Sequence, residues 1–205
     1  MKLATFLTLA AANIAVAAPT NEIQARGSRE DPELPHIEDN DFISTVLDAH
    51  WYWRRVHCAQ DLQWDPALAL EAFKSVNACT EKVQHDRAGS NLSGVSPSPE
   101  NREIWLNFAR TAIHGWHEEE TKYPYGSAGY EDTWGHFTQM VWRDSSRLGC
   151  ALSKCDDFTK KFPGRIYCFY ENVGNNIAPG EFEKNVWPPV CSDPTGRVAE
   201  QHYGK

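Results

Sequence analysis

The chain lacks any Cys-x-x-Cys pair and any Cys/His ligand spacing, which disfavours a structural zinc site built on thiolates. It also lacks a cluster of basic residues. With a formal net charge of −8, an electrostatic grip on nucleic acid or on an anionic membrane is disfavoured as well. Beyond the N-terminal segment no stretch is apolar enough for a transmembrane helix. What is present is a chain of 205 residues with 41% apolar content, suited to one compact domain with a real core and flanking segments. Its eight tryptophans are many for one domain. Trp is large and rarely fully buried, so some are core and others are candidates for lining a groove.

Met1-Lys2-Leu3 leads into an apolar run from Ala4 to Ala18 that is too short to span a bilayer and ends in small residues. Residues 1–18 therefore read as a secretory signal peptide, cut after Ala17 or Ala18, and the product as exported to the extracellular space. The cysteines point the same way: Cys58, Cys79, Cys150, Cys155, Cys168 and Cys191 are even in number, and three disulfides are the expectation, with the pairing open. Residues 19–40 are rich in Glu, Asp, Pro and Arg and are expected to be a flexible arm or propeptide, with Arg26 and Arg29 as candidate processing sites.

From Asp41 the pattern turns helical: Phe42, Val46, Ala49, Trp53 and Val56 recur at helical spacing behind the acidic start at Asp39 to Asp41. Asp65 as N-cap with Pro66 at the first helical position opens a second helix, whose apolar face is Leu68, Ala69, Ala72, Phe73 and Val76. Ala88 to Pro99 is rich in Gly, Ser and Pro and is expected to be a loop. It holds a glycosylation sequon at Asn91-Leu92-Ser93. A third helix begins near Pro99 to Asn101 and ends by Tyr123-Pro124. After a loop from Tyr123 to Trp134 come three strand-like runs, Phe137 to Trp142, Arg147 to Leu152 and Arg165 to Tyr170. Helices first and strands later indicate an α+β fold.

The stretch Gly135-His136-Phe137-Thr138-Gln139-Met140-Val141-Trp142-Arg143-Asp144-Ser145 resembles, position for position, the first signature of the CAP superfamily, the cysteine-rich secretory, antigen 5 and pathogenesis-related class 1 proteins. His50 to His57 is similar to that family's His-Asn-x-x-Arg-x-x-His pattern, with Trp51 at the Asn position. Tyr167 to Asn175 resembles its second signature, with Phe169 and Asn172 at the Asn and Pro positions. The resemblance covers about Asp41 to Asn176 and implies a three-layer α-β-α sandwich, placed here over residues 41–188 with a C-terminal tail at 189–205.

What the resemblance implies about sites follows residue by residue. A central cleft would carry His136 and His85, which in the family often hold a divalent cation such as zinc. It would also carry Glu119, from Trp116-His117-Glu118-Glu119, which resembles Trp-Tyr-x-Glu. Gly89-Ser90-Asn91-Leu92 looks like the family's Gly-Glu-Asn-Leu, so Ser90 stands where a second acid is usual. Disulfides would join Cys150 to Cys168 and Cys79 to Cys155, leaving Cys58 with Cys191 to tether the tail. Tyr123, Tyr125 and Tyr130, set in a Gly-containing loop, resemble the loop with which yeast members bind sterols. The reading is a secreted, non-enzymatic protein that takes sterols or other small apolar lipids through this loop. The alternatives are an effector or allergen-like factor acting on a host or other protein partner, and a metal-dependent hydrolase using His85, His136 and Glu119.

Overall fold

The computed structural model describes residues 31–126 and 129–191; the signal peptide and the two arginine processing sites lie outside them. The elements run α1 (Asn40–Val56), β1 (Gln63–Trp64), α2 (Pro66–Val76), β2 (Ser90–Val95), α3 (Arg102–Glu118), a 3-10 turn (Glu119–Lys122), α4 (Gly135–Val141), β3 (Arg147–Lys154), β4 (Gly164–Glu171) and α5 (Glu181–Asn185). The sheet order is β1-β3-β4-β2, with β1 parallel to β3 and the other two pairs antiparallel.

Helices cover both faces of this sheet. Leu148, Cys150, Leu152, Ile166, Cys168 and Tyr170 pack with α1, α3 and α4 in one core, while Ala151, Tyr167 and Phe169 pack with α2 in the other. Adjacent residues of β3 and β4 thus point into opposite cores, and both strands are buried along nearly their whole length. The architecture is the α-β-α sandwich of an α+β fold.

The first three helices start where their caps say they should. Asp39, Asp65 and Asn101 each accept a backbone N–H from the first turn, satisfying donors that the helix itself leaves free. All three disulfides, Cys58–Cys191, Cys79–Cys155 and Cys150–Cys168, are present. The last pair joins residues directly opposite in the β3–β4 register.

Three expectations need correction. Phe137 to Trp142 is not a strand: Gly135–Val141 forms α4, buried on almost every side, so the alternation of apolar and polar residues reports no exposed face. Ala88 to Pro99 is not all loop, because Ser90–Val95 pairs with β4 over six residues. The arm at 19–40 is packed in its second half. Leu34 lies in the main core, Glu33 accepts from Arg102 N at 3.0 Å, and Asp31 pairs with Lys154 at 3.1 Å.

His50 and Tyr170 link α1 to the sheet with no exposure to solvent. His50 Nδ1 donates to Val46 O at 2.8 Å and Nε2 accepts from Tyr170 Oη at 2.7 Å, which fixes a neutral tautomer. Burial, aided by the nearby Arg54 charge, pushes the ring down to about 3 from its ordinary 6.5. The unfolded chain therefore takes up the proton first as pH falls. Stability is whole above about pH 6.5 and is lost on the way to 3, by about 1.4 kcal/mol per pH unit from this ring alone. Urea unfolding at pH 7.5 and 5.0 is expected to show a drop that shrinks by about 2 kcal/mol in His50→Leu. An equal drop in both proteins would mean that His50 does not carry it.

Candidate functional site

The cleft is organised by the way α4 begins. Trp134, ahead of its first turn, offers no side-chain cap, and the turn is capped from a distance instead. Glu119, just past the end of α3, accepts His136 N at 3.0 Å and Phe137 N at 3.2 Å on Oε2, and His136 Nδ1 at 2.8 Å on Oε1. A carboxylate at a helix N-terminus is favourable twice over, through the orphan N–H groups and through the dipole. Of the three consecutive glutamates only Glu119 reaches His136: Glu118 pairs with His114, and Glu120 faces His57 and His117.

His85 stands across from His136, the two rings stacked with centroids 5.8 Å apart. Ser90 Oγ donates its own proton to Arg87 O, so it accepts from His85 Nδ1 at 2.8 Å. His85 therefore carries its proton on Nδ1, and His136 gives its Nδ1 proton to Glu119. Burial and the neighbouring His136 hold the His85 pKa below its ordinary value, which keeps the ring neutral near pH 7. Ser90 orients its histidine as a glutamate would, without supplying charge.

These groups line a cavity of about 570 Å³ whose walls include Ser90, Tyr130, Asn175 and Ile177. The Gly174-Asn175 corner closes it against α4. Gly174 N donates to Gln139 Oε1 at 2.9 Å, Asn175 Nδ2 to Gly135 O at 2.9 Å, and Thr138 Oγ1 to Asn175 Oδ1 at 2.6 Å. Gly174 has no room for a side chain, since a Cβ would sit 2.9 Å from Trp142 Cγ and from Gln139 Nε2. Gln139, Asn175 and Ile177 were not singled out in the sequence; the Gly-Asn ending of the second signature is the signal that marks two of the corner residues.

The three tyrosines lie in different surroundings, though Tyr123 and Tyr125 meet edge-on with centroids 4.8 Å apart. Tyr123 is buried edge-on against Trp134 and Phe137, and burial raises its pKa to about 12, so it is a core residue. Tyr125 donates to Glu120 at 2.8 Å, away from the cleft. Tyr130 alone lines the cavity, its ring lying close over Gly135 and its hydroxyl donating to Asp132 at 2.8 Å. The sequon is also displaced in meaning. Asn91 is 1% exposed, and its Nδ2 donates to His136 O at 2.9 Å, so this fold has no space for a glycan there.

Were a divalent cation bound in the cleft, His85 and His136 would hold it, each ring being oriented by the partner on its Nδ1. Such an ion would supply Lewis-acid polarisation of a bound oxygen. Glu119 accepts three bonds from α4, two backbone N–H groups on Oε2 and the His136 ring on Oε1. A second cluster, His57, His117 and Glu120, lies apart from the cavity, and the sequence reading did not assign it.

Residues 47–172 match the model of a family described as the cysteine-rich secretory protein family, CAP. Protein PRY2 of Saccharomyces cerevisiae is 31% identical over 150 residues, which cover 72% of this chain and 42% of that protein. Secreted protein RBT4 of Candida albicans is 29% identical over 147 residues, covering 68% of this chain and 37% of that one. The chain thus spans less than half the length of either. Among solved structures, that of NaASP2 with Zn2+ superposes with a TM-score of 0.58 at 18% identity, covering 78% of this chain and 92% of the other. At that identity the likeness speaks for the fold. Among the described residues no helix is long and apolar enough to cross a membrane.

Proposed function

This chain belongs to the cysteine-rich secretory protein (CAP) family, and on that footing we propose that it is an exported binding protein whose cleft takes a small apolar lipid of the sterol class. Export is supported by the apolar run at residues 4–18, by the three disulfides and by a relative named as secreted. The observation that carries the ligand class is the make-up of the cavity. Tyr130, 47% exposed, and Ile177, 80% exposed, give it apolar surface, while the facing His85 and His136 rings give it polar atoms for a single hydroxyl. Its volume of about 570 Å³ lies in the usual range for small-molecule sites. A binding role is favoured over hydrolysis because Glu119 caps α4 and Asp132, a second carboxylate at the cavity, accepts from the Tyr130 hydroxyl.

The ligand surface is therefore moved from the loop as a whole to the cleft and its mouth. Radiolabelled cholesterol is expected to bind the oxidised protein saturably. Tyr130→Ser with Ile177→Ser is expected to weaken binding at least about tenfold, as losing two apolar contacts implies. Tyr125→Ser, outside the cavity, is expected to stay within about twofold. Tyr123 is left unchanged because it belongs to the core. Absence of saturable uptake would contradict the lipid reading and favour a protein partner; equal uptake by the double variant would contradict the cleft as its seat.

A further inference from the structure

Away from the cleft, the end of α1 meets the end of α3. His57 follows the last residue of α1 and is fully buried, His117 lies in the last turn of α3, and Glu120 is in the 3-10 turn. His57 Nε2 is 3.0 Å from His117 Nε2 and 3.8 Å from Glu120 Oε2, and His117 Nε2 is 3.3 Å from the same oxygen.

The other polar atoms that fix these groups are already engaged. Trp187 O lies 2.6 Å from His57 Nδ1, and because a carbonyl only accepts, that nitrogen carries the proton and Nε2 the lone pair. Tyr125 donates to Glu120 Oε1 at 2.8 Å, leaving Oε2 for the histidines. Trp53 stacks on the His117 ring at 3.6 Å and holds its plane. A carbonyl behind one imidazole and a hydroxyl behind the carboxylate are the outer partners that orient metal ligands.

The proton count inside the triangle is short. His117 Nε2 has at most one proton to give, and it faces two acceptors, the His57 lone pair and Glu120 Oε2. That one proton serves two edges of the triangle, and the third, His57 Nε2 to Glu120 Oε2 at 3.8 Å, leaves two lone pairs facing a gap that a cation can fill. Ligand atoms 2.0–2.1 Å from a tetrahedral zinc ion stand about 3.3 Å from one another. The three edges found here bracket that value.

We propose that His57, His117 and Glu120 form a binding site for a zinc-class divalent cation, with water as the fourth ligand, that ties the end of α1, the end of α3 and the Trp187 segment together. Two imidazoles and one carboxylate suit zinc better than the harder magnesium or calcium. The site is independent of the lipid reading. It is also distinct from the His85–His136 pair. His117 occupies the tyrosine position of the Trp-Tyr-x-Glu pattern, so the third helix supplies here a ligand that the pattern itself does not contain.

The test is titration of the metal-stripped, oxidised full chain with zinc and with cobalt(II), using a His85→Gln/His136→Gln protein to silence the cleft. That protein is expected to bind one equivalent of zinc and to give the intense visible absorption of tetrahedral cobalt. Adding Glu120→Gln, which keeps size and the Tyr125 contact, is expected to weaken zinc at least about tenfold, and adding His117→Gln at least about a hundredfold. A folded cleft-silenced protein that binds no zinc overturns the proposal. So does zinc affinity unchanged by both Glu120→Gln and His117→Gln. Since Glu120 is part-exposed and Glu120→Gln is isosteric, loss of folding in the histidine variant leaves that comparison decisive.

Discussion

Replacing Gly149 with alanine is expected to cost at least about 3 kcal/mol, the upper end for overpacking a core. Gly149 lies in β3 directly under α2, and a Cβ there would stand 2.1 Å from Ala69 N, 2.5 Å from Leu68 C and 2.7 Å from Ala69 Cα. These are backbone atoms, so no side chain can turn aside, and the whole helix has to lift. Lifting α2 opens the core made by Leu68, Ala72, Phe73 and Val76 against Ala151, Tyr167 and Phe169. Urea unfolding measures the loss directly. A change below about 1 kcal/mol would mean that α2 sits further from the sheet than described here.

Arg54→Met is expected to be comparably severe, with a loss of at least about 4 kcal/mol. The Arg54 side chain is wholly buried and is not hydrogen-bonded to Asp61, the acid that acts on its charge and that pairs with Arg55. It donates instead to four backbone carbonyls: Gln60 O at 2.8 Å, Met140 O at 3.0 Å, Trp142 O at 2.8 Å and Ser145 O at 2.8 Å. Burial lowers its pKa only to about 10, so it stays charged at neutral pH and these are charge-assisted bonds. Two of the carbonyls belong to the end of α4 and the turn after it, so the residue holds in place the helix whose first turn carries His136. Met fills the volume but removes all four bonds, leaving Trp142 O with its bond from Ser145 N at 3.1 Å. Arg54→Lys is expected to recover less than half of the loss, because an ammonium cannot reach four carbonyls spread around a planar fork. Full recovery by Lys would show that charge alone is what the site needs.

These two positions show what was legible in the chain and what was not. The helices with local instructions were readable: Asp39, Asp65 with Pro66, and Asn101 mark α1, α2 and α3 from within a few residues. The α4 helix was not, because its cap is Glu119, 17 residues before the donor it serves, and its seven residues are too few and too buried to show a period. β2 was missed for a related reason. Ser90, Asn91, Ser93 and Gly94 have the composition of a turn, and only pairing with β4 makes them a strand.

The cleft was legible through resemblance, since His85, Ser90, Glu119 and His136 meet around one cavity or its supports. Three tyrosines in a loop have no periodicity to say which way each ring points. The fold therefore had to reveal that Tyr123 is core, Tyr125 serves Glu120 and Tyr130 faces the cavity. His117 and Glu120 stand three apart in the sequence, but His57 is 60 residues from His117, and nothing in the sequence alone brings them together.

The central claim, a lipid seat between the histidine cleft and its apolar mouth, is tested most directly by photo-crosslinking a diazirine sterol to the wild-type protein and mapping the label by peptide mass spectrometry. Label that is competed by unlabelled sterol and concentrated in peptides containing Tyr130 and Ile177 is the expected result. Competed label confined to peptides outside the cavity, or no competed label at all, would contradict it.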